Sequence, residues 1–243
     1  MKKEELQGEG PRPHSSASFM QIEPRQVFSI ATNPVSTESS WNWPRRGGTM
    51  SEAAFHELEQ LSPDRKYEYL NGMAYLMSGG SVAHDRITRN VGYALDSQLR
   101  TGPCRAFGVD AQVLLRTKKD GKKHYVYPDA TVSCAATDRR PENTLIESPR
   151  VVIEVLSPST EARDRGVKFK AYQGCPTIQE IVLMSQFAPY VEIWQRDDQD
   201  SNTWHYRHYG PGEIVEIKSI DVRIDIADVY QGLDFEEAEP EEE

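Results

Sequence analysis

Residues 151–156 read Val-Val-Ile-Glu-Val-Leu, the most apolar strand-like run of the chain. The run is too short and too rich in β-branched side chains for a helix, so it predicts a buried central strand. Glu154 stands in its middle, where an ionised carboxylate costs several kcal/mol unless a partner compensates the charge. The sequence therefore predicts a cationic partner for Glu154, either a metal ion or a structural arginine such as Arg150 or Arg163.

A second acid belongs to the strand predicted before this one, from His124 to Ser133. Asp129 follows Tyr127-Pro128 and stands toward the middle of that strand. Adjacent strands lie about 5 Å apart, so Asp129 and Glu154 can share a cation if they point to one face. We expect them to bind Mg²⁺ or Mn²⁺, since Mg²⁺ takes one or two carboxylates and leaves room for water and phosphate oxygens. The alternative for Asp129 is a turn-capping role at a strand end.

The helix that follows adds a basic group to this pair. It is predicted from about residue 160 to just before Gly174-Cys175-Pro176, because Gly is favoured just past a helix end and Pro cannot continue one. Asp164, Lys168 and Tyr172 recur every four residues and share one face. We expect Lys168 to orient or help deprotonate an attacking water, with Asp164 and Tyr172 holding it. The alternative is a solvated lysine in an ordinary ion pair with Asp164.

Turn and capping signals delimit other elements. Asn71-Gly72 lies between two short apolar runs within residues 67–77, which predicts a β-hairpin. Ser81 predicts the start of a helix over residues 82–100, whose apolar residues recur every four positions as one buried stripe. Alternation or apolar runs predict further strands, at residues 109–115, 180–184, 190–195, 204–209, 214–217 and 222–226. The expected fold is α/β, with a mixed central sheet flanked by helices and an antiparallel C-terminal extension.

The length of 243 residues, 37% of them hydrophobic, suits one sizeable domain. We predict this domain over residues 50–233, after a disordered extension over 1–49 and before a disordered acidic tail over 234–243. Ser51 after Met50 resembles a capped helix start, so translation from Met50 is an alternative to Met1. No run is long and apolar enough for a membrane span or signal peptide, so we expect a cytoplasmic protein without membrane partners.

The net charge of −10 is unusual for a protein that handles nucleic acid, because Lys and Arg usually supply most of the affinity for phosphates. From Asp234 onward there are seven acids and no base, so the tail alone carries −7. Residues 50–233 hold 22 Lys and Arg against 26 Asp and Glu, which leaves only −4. The three cysteines, Cys104, Cys134 and Cys175, have no CxxC spacing, so scattered buried thiols are expected rather than a zinc site or disulfide framework.

Several residues are weaker candidates for the site. His84 opens the helix over 82–100 and is either a site residue or a structural hydrogen-bonding residue. Glu68, on the hairpin, could support the site or face solvent. Asp110 is either a supporting acid or an edge residue, and the sequence favours the edge residue. The basic hairpin from Arg116 to Lys123 could contact a phosphate backbone, although such tips are commonly just solvated.

These residues occur in an order that resembles a known family. Pro128-Asp129 is followed by Glu154-Val155-Leu156-Ser157-Pro158-Ser159-Thr160, then by Asp164-Arg165-Gly166-Val167-Lys168 and Tyr172. With the hairpin and the helix of His84, this order resembles the Uma family of restriction-endonuclease-like proteins, a branch of the PD-(D/E)XK nucleases. The resemblance covers roughly residues 52–233.

The resemblance implies a restriction-endonuclease-like core with the acidic pair on adjacent strands and divalent-metal-dependent DNA cleavage. The superfamily pattern places a lysine two residues after the strand acid, where this chain has Leu156, so we carry that role to Lys168. Nucleases of this fold often pair to cut both strands, so a homodimer is a reasonable hypothesis. Two alternatives remain, a catalytically inactive nuclease-fold module for binding nucleic acid or other partners, and a hydrolase of another phosphate ester.

Overall fold

The computed structural model describes residues 48–235, which fall within one compact unit. Two long helices and several short ones lie in this part of the chain: α1 (Glu52–Leu61), α2 (Val82–Leu99), α3 (Glu161–Arg163), α4 (Phe169–Gly174) and α5 (Ile226–Val229). The strands are β1 (Tyr67–Leu70), β2 (Met73–Leu76), β3 (Arg105–Gly108), β4 (Gln112–Arg116), β5 (Lys123–Val126), β6 (Ala130–Ser133), β7 (Leu145–Ile146), β8 (Pro149–Leu156), β9 (Glu180–Ser185), β10 (Val191–Arg196), β11 (Trp204–Tyr209), β12 (Ile214–Ile217) and β13 (Val222–Asp225).

The predicted helix caps and the predicted hairpin turn occur at the expected residues. Ser51 and Ser81 cap α1 and α2, because each side chain accepts a hydrogen bond from a backbone N–H in the first helical turn. Asn71 and Gly72 join β1 to β2 with φ angles of 50° and 82°, and Gly favours this left-handed conformation. The predicted hairpin and the predicted helix over 82–100 are therefore confirmed.

The strands form three sheets between residues 48 and 235. One has the order β2-β1-β5-β4-β7, one the order β11-β10-β9-β8-β6-β3, and the third is the pair β12-β13. β8 lies inside the six-stranded sheet, parallel to β9 and antiparallel to β6, so that sheet is mixed. The expected α/β class with mixed sheets and flanking helices is confirmed, while the strands divide among more sheets than one central sheet.

The predicted strand from His124 to Ser133 is wrong in one respect that matters for the site. It is two strands, because the chain leaves the five-stranded sheet after Val126 and enters the six-stranded sheet at Ala130. Pro128 has no N–H to donate to a strand ladder and lies at the break. Asp129 therefore stands just before β6 and not in the middle of a strand.

Both faces of β8 are buried. The apolar stripe of α2 packs with Val151, Ile153 and Val155 in one core cluster. Val152 and Leu156 belong to a second cluster on the opposite face. Glu154 points to that opposite face by strand alternation, so its carboxylate lies under the segment from α3 to α4.

The prediction of scattered thiols is wrong for two of the three cysteines. Cys104 and Cys134 form a disulfide, with Cα atoms 3.8 Å apart, and Cys175 is a buried free thiol. The register of β3 against β6 pairs Arg105 with Ser133, so the two cysteines just beyond this pair face each other. A separation of 30 residues in the sequence does not reveal this pairing.

The predicted disordered segments, 1–49 and 234–243, lie outside the described residues except at their inner ends. At one inner end, Phe235 packs against Tyr230 with ring centroids 5.6 Å apart. Between residues 48 and 235, no helix combines the length and apolarity required to cross a membrane.

Candidate active site

The register of the central sheet brings Asp129 and Glu154 together. β6 and β8 pair Ala130 with Ile153, and the next position along this antiparallel register sets Asp129 opposite Glu154. Side chains at opposite positions point to one face with Cβ atoms about 5 Å apart. The N–H of Val155 donates a hydrogen bond of 2.7 Å to Oδ2 of Asp129, which holds this carboxylate against β8.

Glu154 has a lysine and a tyrosine as partners. Its Oε1 lies 2.8 Å from Nζ of Lys168 and accepts a hydrogen bond from the hydroxyl of Tyr172. Neither arginine considered for this role serves it, since Arg163 pairs with Glu68 and Arg150 donates to the carbonyl of Ser219. The expectation that Tyr172 holds Lys168 is also wrong, because its hydroxyl bonds to Glu154.

Lys168 lies inside a ring of acceptors and is only 3% exposed. Its Nζ is 2.7 Å from Oε1 of Glu68, 3.8 Å from Oδ1 of Asp164 and 3.5 Å from the carbonyl oxygen of Tyr127, in addition to the contact with Glu154. Burial opposes the positive charge, but the surrounding carboxylates outweigh burial and raise the pKa of Lys168. The lysine is therefore a buried ammonium, and the alternative of a solvated surface lysine does not hold.

A wide helical turn places Lys168 here. The predicted single helix is instead kinked, because a π-helical turn over Asp164–Lys168 joins α3 to α4 across Gly166. Gly166 departs from helical geometry within this turn, with φ −104° and ψ −105°. Asp164, Lys168 and Tyr172 are all buried on the face that the fourfold spacing predicted.

Glu68 connects the five-stranded sheet to the site. It lies on β1 and is fully buried, and its Oε1 accepts a hydrogen bond of 3.0 Å from the N–H of Tyr127 besides its contact with Lys168. Glu68 therefore lies beside the site in contact with Lys168 and does not face solvent. Asp110 is exposed and pairs with Lys66, as expected of an edge residue.

His84 approaches the pair from the first turn of α2. Its Nε2 lies 3.2 Å from Oδ1 of Asp129. This hydrogen bond outweighs burial and raises the pKa of His84. Gly80 makes room for the ring, because a Cβ at position 80 would lie 2.7 Å from Nδ1 of His84.

A pocket with a cavity volume of about 60 Å³ opens among these side chains. Besides the predicted residues, the loop Met77–Gly80 and the hydroxyls of Ser157, Ser159 and Thr160 line it. These lining residues were not predicted from the sequence. The hydroxyl residues could have been predicted from the Ser-Pro-Ser-Thr stretch that directly follows Glu154-Val155-Leu156.

The donor chemistry of the pocket fits a hard divalent cation. Glu68, Asp129, Glu154 and Asp164 line it, and burial raises the pKa of both Glu154 and Asp164. Oε2 of Glu68 and Oδ1 of Asp164 are buried and accept no hydrogen bond in the described part of the chain, although Nε of Arg163 lies 3.4 Å from the first and Nζ of Lys168 3.8 Å from the second. No group of three His, Cys, Asp or Glu side chains within residues 48–235 forms a complete ligand set. Two carboxylates suffice for Mg²⁺, which otherwise keeps its waters.

The family model Uma2, described as "Putative restriction endonuclease", matches residues 53–226. The chain belongs to the Uma2 family. The resemblance drawn from the sequence is therefore confirmed, and family and fold together support a nuclease-type protein.

Two relatives of this Uma2 chain come from Synechocystis sp. and are both uncharacterized proteins. One is 32% identical over 170 residues, covering 70% of this chain and 86% of the relative. The other is 29% identical over 149 residues, covering 60% of this chain and 81% of the relative. These relatives extend the family likeness over most of their own length.

A solved structure shares the fold of the Uma2 chain. It is the crystal structure of "a putative nuclease belonging to DUF820" from Anabaena variabilis, with a TM-score of 0.55 and 18% sequence identity. The likeness covers 69% of this chain and 90% of that one. At this identity it supports the restriction-endonuclease-like fold, while the site is argued from its own geometry.

Proposed function

We propose that this Uma2 protein is a divalent-metal-dependent DNA endonuclease. The observation that carries the proposal is the position of Asp129 opposite Glu154, with the ammonium of Lys168 2.8 Å from Glu154. Two carboxylates can hold a catalytic metal ion, and an amine beside them can offset charge on the phosphate, which suits metal-assisted phosphodiester hydrolysis. Membership of a restriction-endonuclease family supports the same reaction class.

Asp129 and Glu154 would hold the Mg²⁺ or Mn²⁺ ion. When bound, the ion lowers the pKa of a coordinated water and polarises the phosphoryl oxygens. His84 and the N–H of Val155 fix the two oxygens of Asp129, while Tyr172 fixes one oxygen of Glu154. The carboxylates are therefore oriented before any ligand arrives, which lowers the cost of ordering them.

Lys168 would act as a hydrogen-bond donor. Because its pKa is raised, it stays an ammonium and does not accept a proton from water. An ammonium can orient the attacking water through that oxygen's lone pair and offset the charge that builds on the phosphate. Glu68 and Asp164 hold its charge in place from two different elements.

The displaced lysine is the main argument for the alternative, a nuclease-fold module without turnover. Leu156 occupies the position where the superfamily pattern has lysine. Lys168 nevertheless reaches Glu154 from the neighbouring helix, so the amine is present although its place in the sequence has changed. This contact favours the active enzyme.

Incubation of supercoiled plasmid with the purified protein and Mn²⁺ tests the proposal. We expect nicked and linear DNA from the wild type, and no product above background from Asp129→Ala or Asp129→Asn. Asp110→Asn is the matched control, because Asp110 is an exposed acid paired with Lys66. Equal nicking by wild type and Asp129→Ala, or none by either, would refute the nuclease.

Two further measurements separate metal binding from assembly. Calorimetric titration should give heat with Mg²⁺ or Mn²⁺ that disappears in Asp129→Asn, and absence of heat at millimolar metal counts against the site. Sedimentation should show a homodimer, the assembly proposed for cutting both strands, and a species that remains monomeric when bound to DNA removes that part of the proposal.

A further inference from the structure

Four aromatic side chains form a continuous surface on β10, β11 and the turn before β10. Tyr206 contacts Trp194 and His208, with centroid distances of 4.9 and 5.9 Å, and His208 stacks on Tyr190 at 5.7 Å. The hydroxyls of Tyr190 and Tyr206 are 3.0 Å apart. We call Tyr190, Trp194, Tyr206 and His208 the aromatic surface.

Two side chains of the aromatic surface, Tyr206 and His208, are open to solvent, while Tyr190 and Trp194 are half-buried. Tyr206 is 44% exposed, and His208 is also exposed. Within residues 48–235, β11 is an edge strand of the six-stranded sheet, with no strand paired along its outer edge. Exposed rings held in place by their neighbours offer flat faces on which other aromatic groups can stack.

The aromatic surface lies on the same face of the sheet as the acidic pair. The strand register aligns Glu154 with Leu183, Leu183 with Glu192, and Glu192 with His208. Three strand spacings separate Glu154 from His208, which is about 14 Å. A nucleic-acid strand of a few nucleotides can cover this distance.

A cation lies along this row. Arg165, in the π-helical turn that also carries Lys168, forms two hydrogen bonds with Glu192, of 2.5 and 3.0 Å. Its Nε donates to Oε1 of Glu161 at 2.8 Å, so two carboxylates engage the guanidinium, and the side chain remains 39% exposed. Aromatic rings next to an arginine form the combination that proteins use to bind single-stranded nucleic acid.

We propose that the aromatic surface binds the unpaired bases of a single-stranded DNA segment that adjoins the cleavage site. The inference rests on the proposed nuclease function and specifies its substrate as DNA with a single-stranded extension. Unpaired bases expose their ring faces for stacking, whereas the bases of an intact duplex stack on one another.

Fluorescence anisotropy tests this without turnover. Labelled DNA, either a blunt duplex or the same duplex with a single-stranded tail, is titrated with Ca²⁺ in place of Mg²⁺, and a gel verifies that the DNA stays intact. We expect tighter binding of the tailed DNA by the wild type. Tyr206→Ala should weaken that binding roughly 10-fold, while the blunt duplex is unaffected. Tyr206→Phe keeps the ring and should retain the affinity.

Tyr93→Ala is the matched control, since Tyr93 is a tyrosine on α2 that is 79% exposed. It should leave both affinities unchanged, and His208→Ala repeats the test at a second exposed position. Equal wild-type affinity for tailed and blunt DNA, or unchanged affinity in Tyr206→Ala, overturns the inference. A wild-type dimer that becomes monomeric in Tyr206→Ala also overturns it, because a second copy would then occupy the surface. The anisotropy measurement does not depend on plasmid cleavage. A negative binding result would overturn the inference about the aromatic surface, whereas a negative cleavage result would overturn the proposed nuclease activity.

Discussion

The side-chain nitrogen of Lys168 lies 2.8 Å from Oε1 of Glu154, and both side chains are only 3% exposed. The lysine comes from a π-helical turn and the glutamate from the centre of a strand, so the contact ties the helix to the sheet. Glu68 adds a second carboxylate 2.7 Å from the same ammonium. The charge of Lys168 therefore supports the fold as well as the proposed reaction.

Lys168→Met should destabilise the protein and abolish cleavage. It leaves Glu154 buried without its cation and Glu68 with Arg163 alone, and removal of one partner of a buried ion pair costs about 3–5 kcal/mol. Urea unfolding at neutral pH measures the change in the free energy of unfolding. Lys170→Met, on the exposed side of the same helix, should change it by less than about 0.5 kcal/mol. Similar values for the two variants would contradict the assigned role.

Glu68→Gln should reduce cleavage while the fold is retained. The amide oxygen can still accept the hydrogen bond from the N–H of Tyr127, but the carboxylate that helps to hold Lys168 as an ammonium is lost. We expect a fall in kcat with an almost unchanged KM, measured on plasmid DNA. Asp110→Asn removes an exposed acid of the neighbouring segment and should leave kcat unchanged. A Glu68→Gln enzyme with wild-type kcat would show that Glu68 only maintains the fold.

The contact between His84 and Asp129 should make stability depend on pH in metal-free buffer. The hydrogen bond to Asp129 raises the pKa of His84 above its usual value of 6.5. A raised pKa in the folded state means that the contribution is complete below pH 6.5 and is lost as the pH rises through the folded-state pKa. Urea unfolding with EDTA should therefore show the largest advantage over His84→Gln in mild acid. An advantage that grows with pH would contradict this sign.

The disulfide between Cys104 and Cys134 should be detectable by counting thiols. Unfolded, unreduced protein should react at one thiol, Cys175, rather than at three. A closed loop of 30 residues corresponds to roughly 3–4 kcal/mol of stabilisation, so reduction should lower the free energy of unfolding by about that amount. Cys175→Ala should remove the single reactive thiol without removing the effect of reduction. Three reactive thiols in unreduced protein would exclude the bond.

Short-range signals along the chain are enough to predict most of the elements. Asn71-Gly72 has the turn conformation that joins β1 to β2, and Ser81 caps α2 at the predicted residue. The apolar run at 151–156 lies within β8, buried on both faces. These features depend on neighbours in the sequence, so periodicity, caps and turn residues are sufficient to predict them.

The sequence by itself also determined that Glu154 needs a partner, because a carboxylate in an apolar strand is costly wherever the strand lies. Only the tertiary structure decided which groups provide it. The strand register set Asp129 opposite Glu154. The break at Pro128 placed Asp129 just before β6 of the six-stranded sheet. The π-helical turn placed the side chain of Lys168 in the buried site. The pairing of Cys104 with Cys134 was decided in the same way. Each depends on the alignment of segments distant in the chain, which only packing and hydrogen bonding between strands establish.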